Sequence, residues 1–444
     1  MDFRAAVAVA VAAVAGKKIY RLKLLFYATF GKNSFQLKQT FCSIITIGDE
    51  LLIGQTIDTN SAWIAQQLNP IGIPVKRRIA VGDQKNDIIQ AIESERKDSN
   101  IIIITGGLGP TSDDITKPVL CEYFNTTLVE NQEVLNHIST YFAKRNRPML
   151  DSNLRQAMLP ANCEILFNAV GTAPGMLFKD QEQVFISLPG VPFEMQYIIT
   201  THIILYLVTH FKTPNFLHKT LVTSGEGESF IAERLKAFEK NLPENIKLAY
   251  LPKLNIVKLR LTAVDIEDHV LETHFETLKT LLQHITVTDK DMELEQVIGQ
   301  LLNKMGKTMS IAESCTGGSI ASRITSVKGA STYFKGGMVP YTIESKENVL
   351  QVDSAIIETH GVVSEQTVIS MASKCVEKFN ADYAVSVSGY LEKNDHDNVV
   401  WIGLSNGTHH IAKKMIAPYD REKNTILVTN AALNLLRIFI IGHP

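Results

Sequence analysis

Four consecutive isoleucines, Ile101 to Ile104, run straight into Thr105-Gly106-Gly107-Leu108-Gly109-Pro110-Thr111. An unbroken β-branched run needs apolar cover on both faces, so it belongs at the centre of a sheet. A glycine-rich turn at the carboxyl end of such a strand is where open α/β sheets receive ligands. The neighbouring segments repeat the pattern: a strand at Cys42 to Ile47, a helix at Ser61 to Leu68 and a strand near Val75 to Ala80, then a helix at about Asn86 to Lys97. Strands alternating with helices at this spacing predict a parallel sheet covered on both sides.

The rhythm changes twice. Between about Asn215 and His284 the order is strand (His218–Thr223), helix (Ser229–Lys240), strand (Val257–Ala263) and helix (His269–Leu282), a small α+β unit punctuated by Pro214 and Pro243. From Met292 a second α/β segment begins. It has a helix to Lys304, a strand at Lys307–Ile311, helices near Ser364–Phe379 and Glu422–Ile438, and strands near Tyr383–Val387 and Val399–Leu404. A chain of 444 residues exceeds one ordinary core. The expected division is an extension at 1–40, then domains at 41–213, 214–290 and 291–444.

Formal net charge is −2, and no cluster of Lys and Arg marks a nucleic-acid partner. The five cysteines (Cys42, Cys121, Cys163, Cys315, Cys375) are odd in number and lack a CxxC pair. That excludes a disulfide framework and a zinc finger and fits a reducing compartment, so a cytoplasmic location is expected. The Ala/Val run from Ala5 to Ala15 matches a signal-peptide core in length, against the alternative of a disordered upstream extension. No run reaches the ~18 apolar residues of a membrane span.

Two constellations carry chemistry. In the first, Gly48-Asp49-Glu50 follows one strand, Asp58-Thr59-Asn60 opens the next helix, and the Gly106, Gly107, Gly109 and Thr111 loop leads to Asp113-Asp114. Glycines there let backbone N–H groups approach a phosphate. Asp49, Asp113 and Asp114 would repel it unless a divalent cation, Mg or similar, lies between. The plainer alternative is that the glycines only turn the chain and the acids cap a helix. Gly171-Thr172-Ala173-Pro174-Gly175 and Leu188-Pro189-Gly190-Val191-Pro192 would form further pocket walls.

In the second, Ala312-Glu313-Ser314-Cys315-Thr316-Gly317-Gly318 joins a strand to a helix. This predicts Ser314 at the helix N-terminus, where free N–H groups stabilise an oxyanion, with Thr316, Gly317 and Gly318 facing substrate. A serine nucleophile needs a base. Lys346 with a depressed pKa, beside Tyr341, supplies one. Cys315 is a rival nucleophile, and a plain N-cap is the structural alternative for Ser314.

These residues carry a resemblance. ITIGDELLIGQ, the Thr59-Asn60 pair, TGGLGPT, DDIT, GTAPGM and LPGVPFEM are similar to the molybdopterin-binding-like domain that opens CinA-family proteins. AESCTGG, YFKGGMVPY, Lys346, HGVVSE, ADYAVSVSG and Asp420-Arg421 resemble the carboxyl-terminal CinA domain, found alone as nicotinamide mononucleotide deamidase. The resemblance implies a three-layer α/β/α domain, a KH-like middle unit and a carboxyl-terminal α/β domain, assembled as a homodimer. It implies metal-assisted hydrolysis of ADP-ribose-type dinucleotides in the first domain; molybdopterin binding is the rival on fold analogy. In the last domain it implies attack by Ser314 on the nicotinamide carboxamide without a cofactor. Lys346 and Tyr341 would manage the proton and Arg421 hold the substrate. The middle unit lacks a GxxG loop with basic flanks, so no nucleic acid is expected.

Two departures stand out. Relatives carry a glycine- and proline-rich loop, roughly GIAGPxGG, where this chain reads Tyr390-Leu391-Glu392-Lys393-Asn394-Asp395-His396-Asp397. Pro340-Tyr341-Thr342-Ile343 replaces something like AYSNE. A loop with acids in place of glycines repels a phosphate, so the deamidase is expected to be altered or replaced by a non-catalytic binding role.

Overall fold

The computed structural model describes residues 40–111, 113–211, 216–392 and 397–444. The Ala/Val run, Lys393, Asn394, Asp395 and His396 lie outside them. The chain divides into two compact units, 1–216 and 217–444.

In the first unit β1 (Cys42–Ile47) is followed by α1 (Asp49–Leu52), α2 (Thr59–Leu68), β2 (Val75–Val81), α3 (Lys85–Glu95), β3 (Ile101–Thr105), α4 (Thr116–Tyr123), β4 (Leu128–Glu130) and α5 (Gln132–Ala143). Then come β5 (Met158–Pro160), β6 (Glu164–Leu166), β7 (Gly175–Asp180), β8 (Gln183–Leu188), α6 (Pro192–Ile198) and α7 (Ile204–His210). The six-stranded sheet runs β2-β1-β3-β8-β7-β6, placing the isoleucine strand inside it. Cys42 to Thr46 pair in parallel with Ile101 to Thr105, and Ile101 to Thr105 with Val184 to Leu188. The sheet is mixed rather than parallel throughout, because β7 folds back on β8 and β6 on β7 in antiparallel pairs.

Alternation does the rest. Ile101 and Ile103 enter a core with Ile64 and Leu68 of α2 and Met195 and Ile198 of α6. Ile102 and Ile104 enter another with Ile88 and Ile92 of α3 and Val119 and Leu120 of α4. All four isoleucines are fully buried, each contributing roughly 1.5–3 kcal/mol, which gives the expected three-layer α/β/α arrangement.

The second unit holds both remaining segments. β9 (Phe216–Ser224), α8 (Glu228–Lys240), β10 (Ile246–Lys253), β11 (Ile256–Val264), α9 (Asp268–Leu281) and β12 (Thr286–Thr288) make the α+β part, with sheet order β10-β11-β9-β12. β10 escapes sequence reading because Lys247 and Pro252 interrupt it; as an edge strand it tolerates the proline. Next come α10 (Leu294–Met305), β13 (Met309–Glu313), α11 (Ser319–Ser326), β14 (Phe334–Met338), α12 (Ile343–Asn348), α13 (Ser354–His360) and α14 (Glu365–Phe379). β15 (Tyr383–Gly389), β16 (Val399–Ser405), β17 (His410–Ile416) and α15 (Arg421–Gly442) complete it, in a sheet ordered β14-β13-β15-β16-β17.

Among the described residues α15 alone is long and apolar enough to cross a membrane. Its Val428, Ala432, Leu433, Leu436 and Phe439 instead fill the core against Ile311, Val385 and Ile402. The same core takes in Val222 and Ile256 of the α+β sheet, while Leu235, Leu259 and Leu271 of that segment form a core of their own.

Candidate active site

A cavity of about 210 Å³ opens at the carboxyl ends of β13 and β15. Ser314, Tyr341, Lys346 and Arg421, all named from sequence, line it together, with Cys315, Ser388 and Glu392. Ser314 follows β13, and its N–H donates to Val387 O at 2.9 Å on the adjacent strand, so pairing within the sheet fixes its backbone.

Lys346 sits in α12, whose first turn is capped by Thr342 accepting from Ser345 N–H. The lysine is 1% exposed. Its Nζ lies 3.1 Å from Ser314 Oγ, 2.9 Å from Pro340 O and 3.3 Å from Tyr341 O. No carboxylate is among these partners. Burial pushes the lysine below its ordinary range, with Cys315 acting in the opposite direction. When the amine is neutral, its two hydrogens go to the two carbonyls and its lone pair faces the Ser314 hydroxyl. That is the geometry of a serine with a lysine base. Cys315 is buried and its thiol is pushed up to about 12, so it stays protonated and unreactive.

One expectation fails. Ser314 does not sit at a helix N-terminus: α11 begins at Ser319. Glu313 takes the place instead. Its carboxylate accepts from Gly318 N–H (3.2 Å), Ile320 N–H (3.0 Å), Ala321 N–H (2.8 Å) and the Thr316 hydroxyl (2.7 Å). The donors meant for an oxyanion are therefore bound to an internal anion, which the helix dipole favours. Thr316, Gly317 and Gly318 do not line the cavity. Thr316 and Gly318 bind Glu313, while Gly317 N–H donates to Ser314 O at 3.1 Å.

Arg421 opens α15, where Asp420 is the N-cap. Its Nε donates to Glu392 Oε1 at 2.5 Å. Glu392 first, then the Tyr341 phenol, hold the guanidinium charged. Thus the Tyr341 carbonyl meets the base while its ring, 56% exposed, stands by the arginine.

In the first unit the other named residues gather at the carboxyl ends of β1, β3 and β8. Asn60 Nδ2 donates to Thr105 Oγ1 at 3.2 Å and Gly190 O at 2.7 Å, while its buried Oδ1 has no partner. Gly106, at φ +116°, has Ile47 O 2.2 Å from where a Cβ would stand, so only glycine fits. Gly107 O accepts from Thr116 N–H. Asp114 braces its own loop, accepting from Gly109 N–H at 2.8 Å, Thr111 N–H at 2.9 Å and the Thr111 hydroxyl.

Asp113 is exposed and its carboxyl is held low by the Thr111 hydroxyl. Asp49 and Asp83 exchange bonds, each N–H donating to the other's carboxylate at 3.0 and 3.1 Å. Asp83 was not foreseen, although it follows β2 as Asp49 follows β1. Its pKa is raised by burial first and then by repulsion from Asp49, Glu50 and Asp113. Among the described residues no three His, Cys, Asp or Glu side chains form a ready metal cage.

Comparison with known proteins agrees with this layout. Residues 43–209 match the probable molybdopterin binding domain, 218–283 the damage-inducible protein CinA KH domain and 291–440 the CinA C-terminal domain. Over 408 residues the chain is 43% identical to a CinA-like protein of Flavobacterium psychrophilum, spanning 89% of this chain and 97% of that protein. The chain belongs to the CinA family. A CinA-like protein of Cytophaga hutchinsonii is 41% identical over 407 residues, spanning 89% and 97% of the two chains. A solved CinA structure from Thermoplasma acidophilum is 33% identical, covering 36% of this chain and 94% of that one at a TM-score of 0.34. In the CinA C-terminal domain Glu313 and Glu392 are carboxylates that motif reading did not assign, as Asp83 is in the first domain. The first hides inside the Ala312-Glu313-Ser314 stretch, and the second stands in the loop after β15.

Proposed function

We propose that the carboxyl-terminal domain is a serine–lysine amidase acting on the carboxamide of a nicotinamide-type substrate, with nicotinamide mononucleotide the compound to which the family resemblance points. The observation that carries this reading is Lys346 Nζ at 3.1 Å from Ser314 Oγ, with main-chain carbonyls as its other partners. Neutral Lys346 takes the Ser314 proton as Oγ attacks the carboxamide carbon. The C–N bond then breaks, Lys346 returns the proton to the leaving nitrogen, and ammonia departs. Water, deprotonated by the same lysine, releases the carboxylic acid and frees Ser314.

For the amino-terminal domain we propose pyrophosphate hydrolysis in an ADP-ribose-type substrate. The repulsion that Asp49, Glu50 and Asp113 exert on Asp83 supports it, because carboxylate oxygens suit a hard cation that keeps most of its water. Because no three acids among the described residues form a ready cage, Asp49 and Asp83, which are joined by hydrogen bonds, would hold the ion together with the substrate; Asp114 is committed to its loop. When bound, a divalent ion supplies the positive charge that a pyrophosphate needs beside these acids.

A second reading of the carboxyl-terminal domain, as a non-catalytic nucleotide-binding module, draws on the Arg421–Glu392 pair, which occupies the expected substrate anchor. Ammonia release from nicotinamide mononucleotide and nicotinamide riboside separates the two. Release that vanishes in Ser314→Ala supports the amidase; release from neither compound leaves the binding role.

A further inference from the structure

Among the described residues the cavity is lined by three charged side chains, Lys346, Glu392 and Arg421. Lys346 is driven toward its neutral form by burial. Arg421 and Glu392 cancel one another through the 2.5 Å Nε–Oε1 contact. Around them stand hydroxyls from Ser314, Tyr341 and Ser388 and an apolar wall that includes Val362.

Glu392 is held there by its neighbours. Leu391 is 2% exposed and belongs to the core that α15 fills. Its carbonyl accepts from Asn424 Nδ2 at 2.8 Å, and Asn424 is fully buried in the first turn of α15. The same turn begins with Arg421. The backbone of both members of the ion pair therefore starts from one braced corner, while their side chains are 50% and 51% exposed.

A phosphate monoester carries about −1.5 to −2 charges at neutral pH. To reach Arg421 it must displace Glu392 and then remain beside it. The same pyridinium carboxamide riboside without its phosphate brings no anion beside that carboxylate. We infer that Glu392 is the specificity-determining residue of this cavity and selects a cationic, N-ribosylated pyridine carboxamide lacking the 5′-phosphate. This rests on the amidase reading for the reaction, but the charge selection is a property of binding and is testable separately.

The test measures binding in a Ser314→Ala background, where turnover is blocked, alongside ammonia release with Ser314 intact. The full-length chain is used, with and without Glu392→Gln, on nicotinamide riboside and nicotinamide mononucleotide. With Glu392 present the riboside binds at least tenfold more tightly than its phosphate, and the gap narrows as salt rises. Glu392→Gln tightens mononucleotide binding by about tenfold or more. The kcat/KM ratio moves the same way. Equal binding of both compounds, or a preference for the mononucleotide that Glu392→Gln leaves unchanged, overturns the inference. Riboside-selective binding without ammonia release refutes the amidase reading while upholding the selection. Binding of neither compound overturns both.

Discussion

Lys346 Nζ stands 3.1 Å from Ser314 Oγ, and its other two hydrogen bonds run to the carbonyls of Pro340 and Tyr341. A protonated amine in this place has no carboxylate to offset its burial, so the pKa falls below 10.5. Only the deprotonated amine is a base. Amidase kcat/KM should therefore rise with pH and level off, with a midpoint below the ordinary lysine value. The sign for stability agrees: between the folded and unfolded pKa values the unfolded chain binds the extra proton, so stability climbs with pH through that window. A profile that stays flat to pH 10 speaks against Lys346 as the base.

Replacing the base isolates its contribution. Lys346→Met should lower kcat by roughly 10²–10⁴-fold, the usual range for a positioned general base. Cys315→Ala should keep most of the activity, because that thiol, pushed up to about 12, is no nucleophile at working pH. Circular dichroism checks folding, and ammonia release reports the rate.

Glu313 is a structural anion, 1% exposed, that satisfies three N–H groups and one hydroxyl. Glu313→Ala leaves those donors unpaired and should cost more than about 2 kcal/mol. Glu313→Gln, which keeps one acceptor oxygen, should cost less. Urea midpoints of the two variants check the order.

The acids of the amino-terminal domain make a separate prediction. Asp83→Asn removes a carboxylate that its neighbours repel, so without added metal its melting temperature should equal or exceed that of the unaltered chain. With millimolar Mg²⁺ the unaltered chain should gain more than the variant, and AMP release from ADP-ribose should drop in the variant. Thermal shifts with and without chelator, next to the AMP assay, read both effects.

Much of this fold was legible because its strongest signals are local. The isoleucine strand needed no tertiary knowledge, and β1 was placed at Cys42–Ile47 from its β-branched run alone. Ser314, Lys346, Tyr341 and Arg421 were named from motifs, and all four line one cavity. What stayed hidden depends on contacts through space. The chain around Ser314 reads like a helix cap, yet the anion that caps α11 is the carboxylate of Glu313, reaching over a turn. β7 and β8 are joined by a turn at Gln181, with φ +55°, in a stretch rich in polar residues, so their antiparallel return was not foreseen. The Glu392–Arg421 pair joins a loop to a distant helix start, and spacing along the chain says nothing of it.

The central claim is that Ser314 forms an acyl intermediate, and hydroxylamine tests it most directly. Added to the reaction, it competes with water for the acyl group on Ser314. The account predicts that hydroxamate and acid together equal the ammonia released, that the acid share falls as hydroxylamine rises, and that Ser314→Ala gives neither product. Ammonia and acid formation that persists in Ser314→Ala, or that yields no hydroxamate at any hydroxylamine concentration, would contradict it.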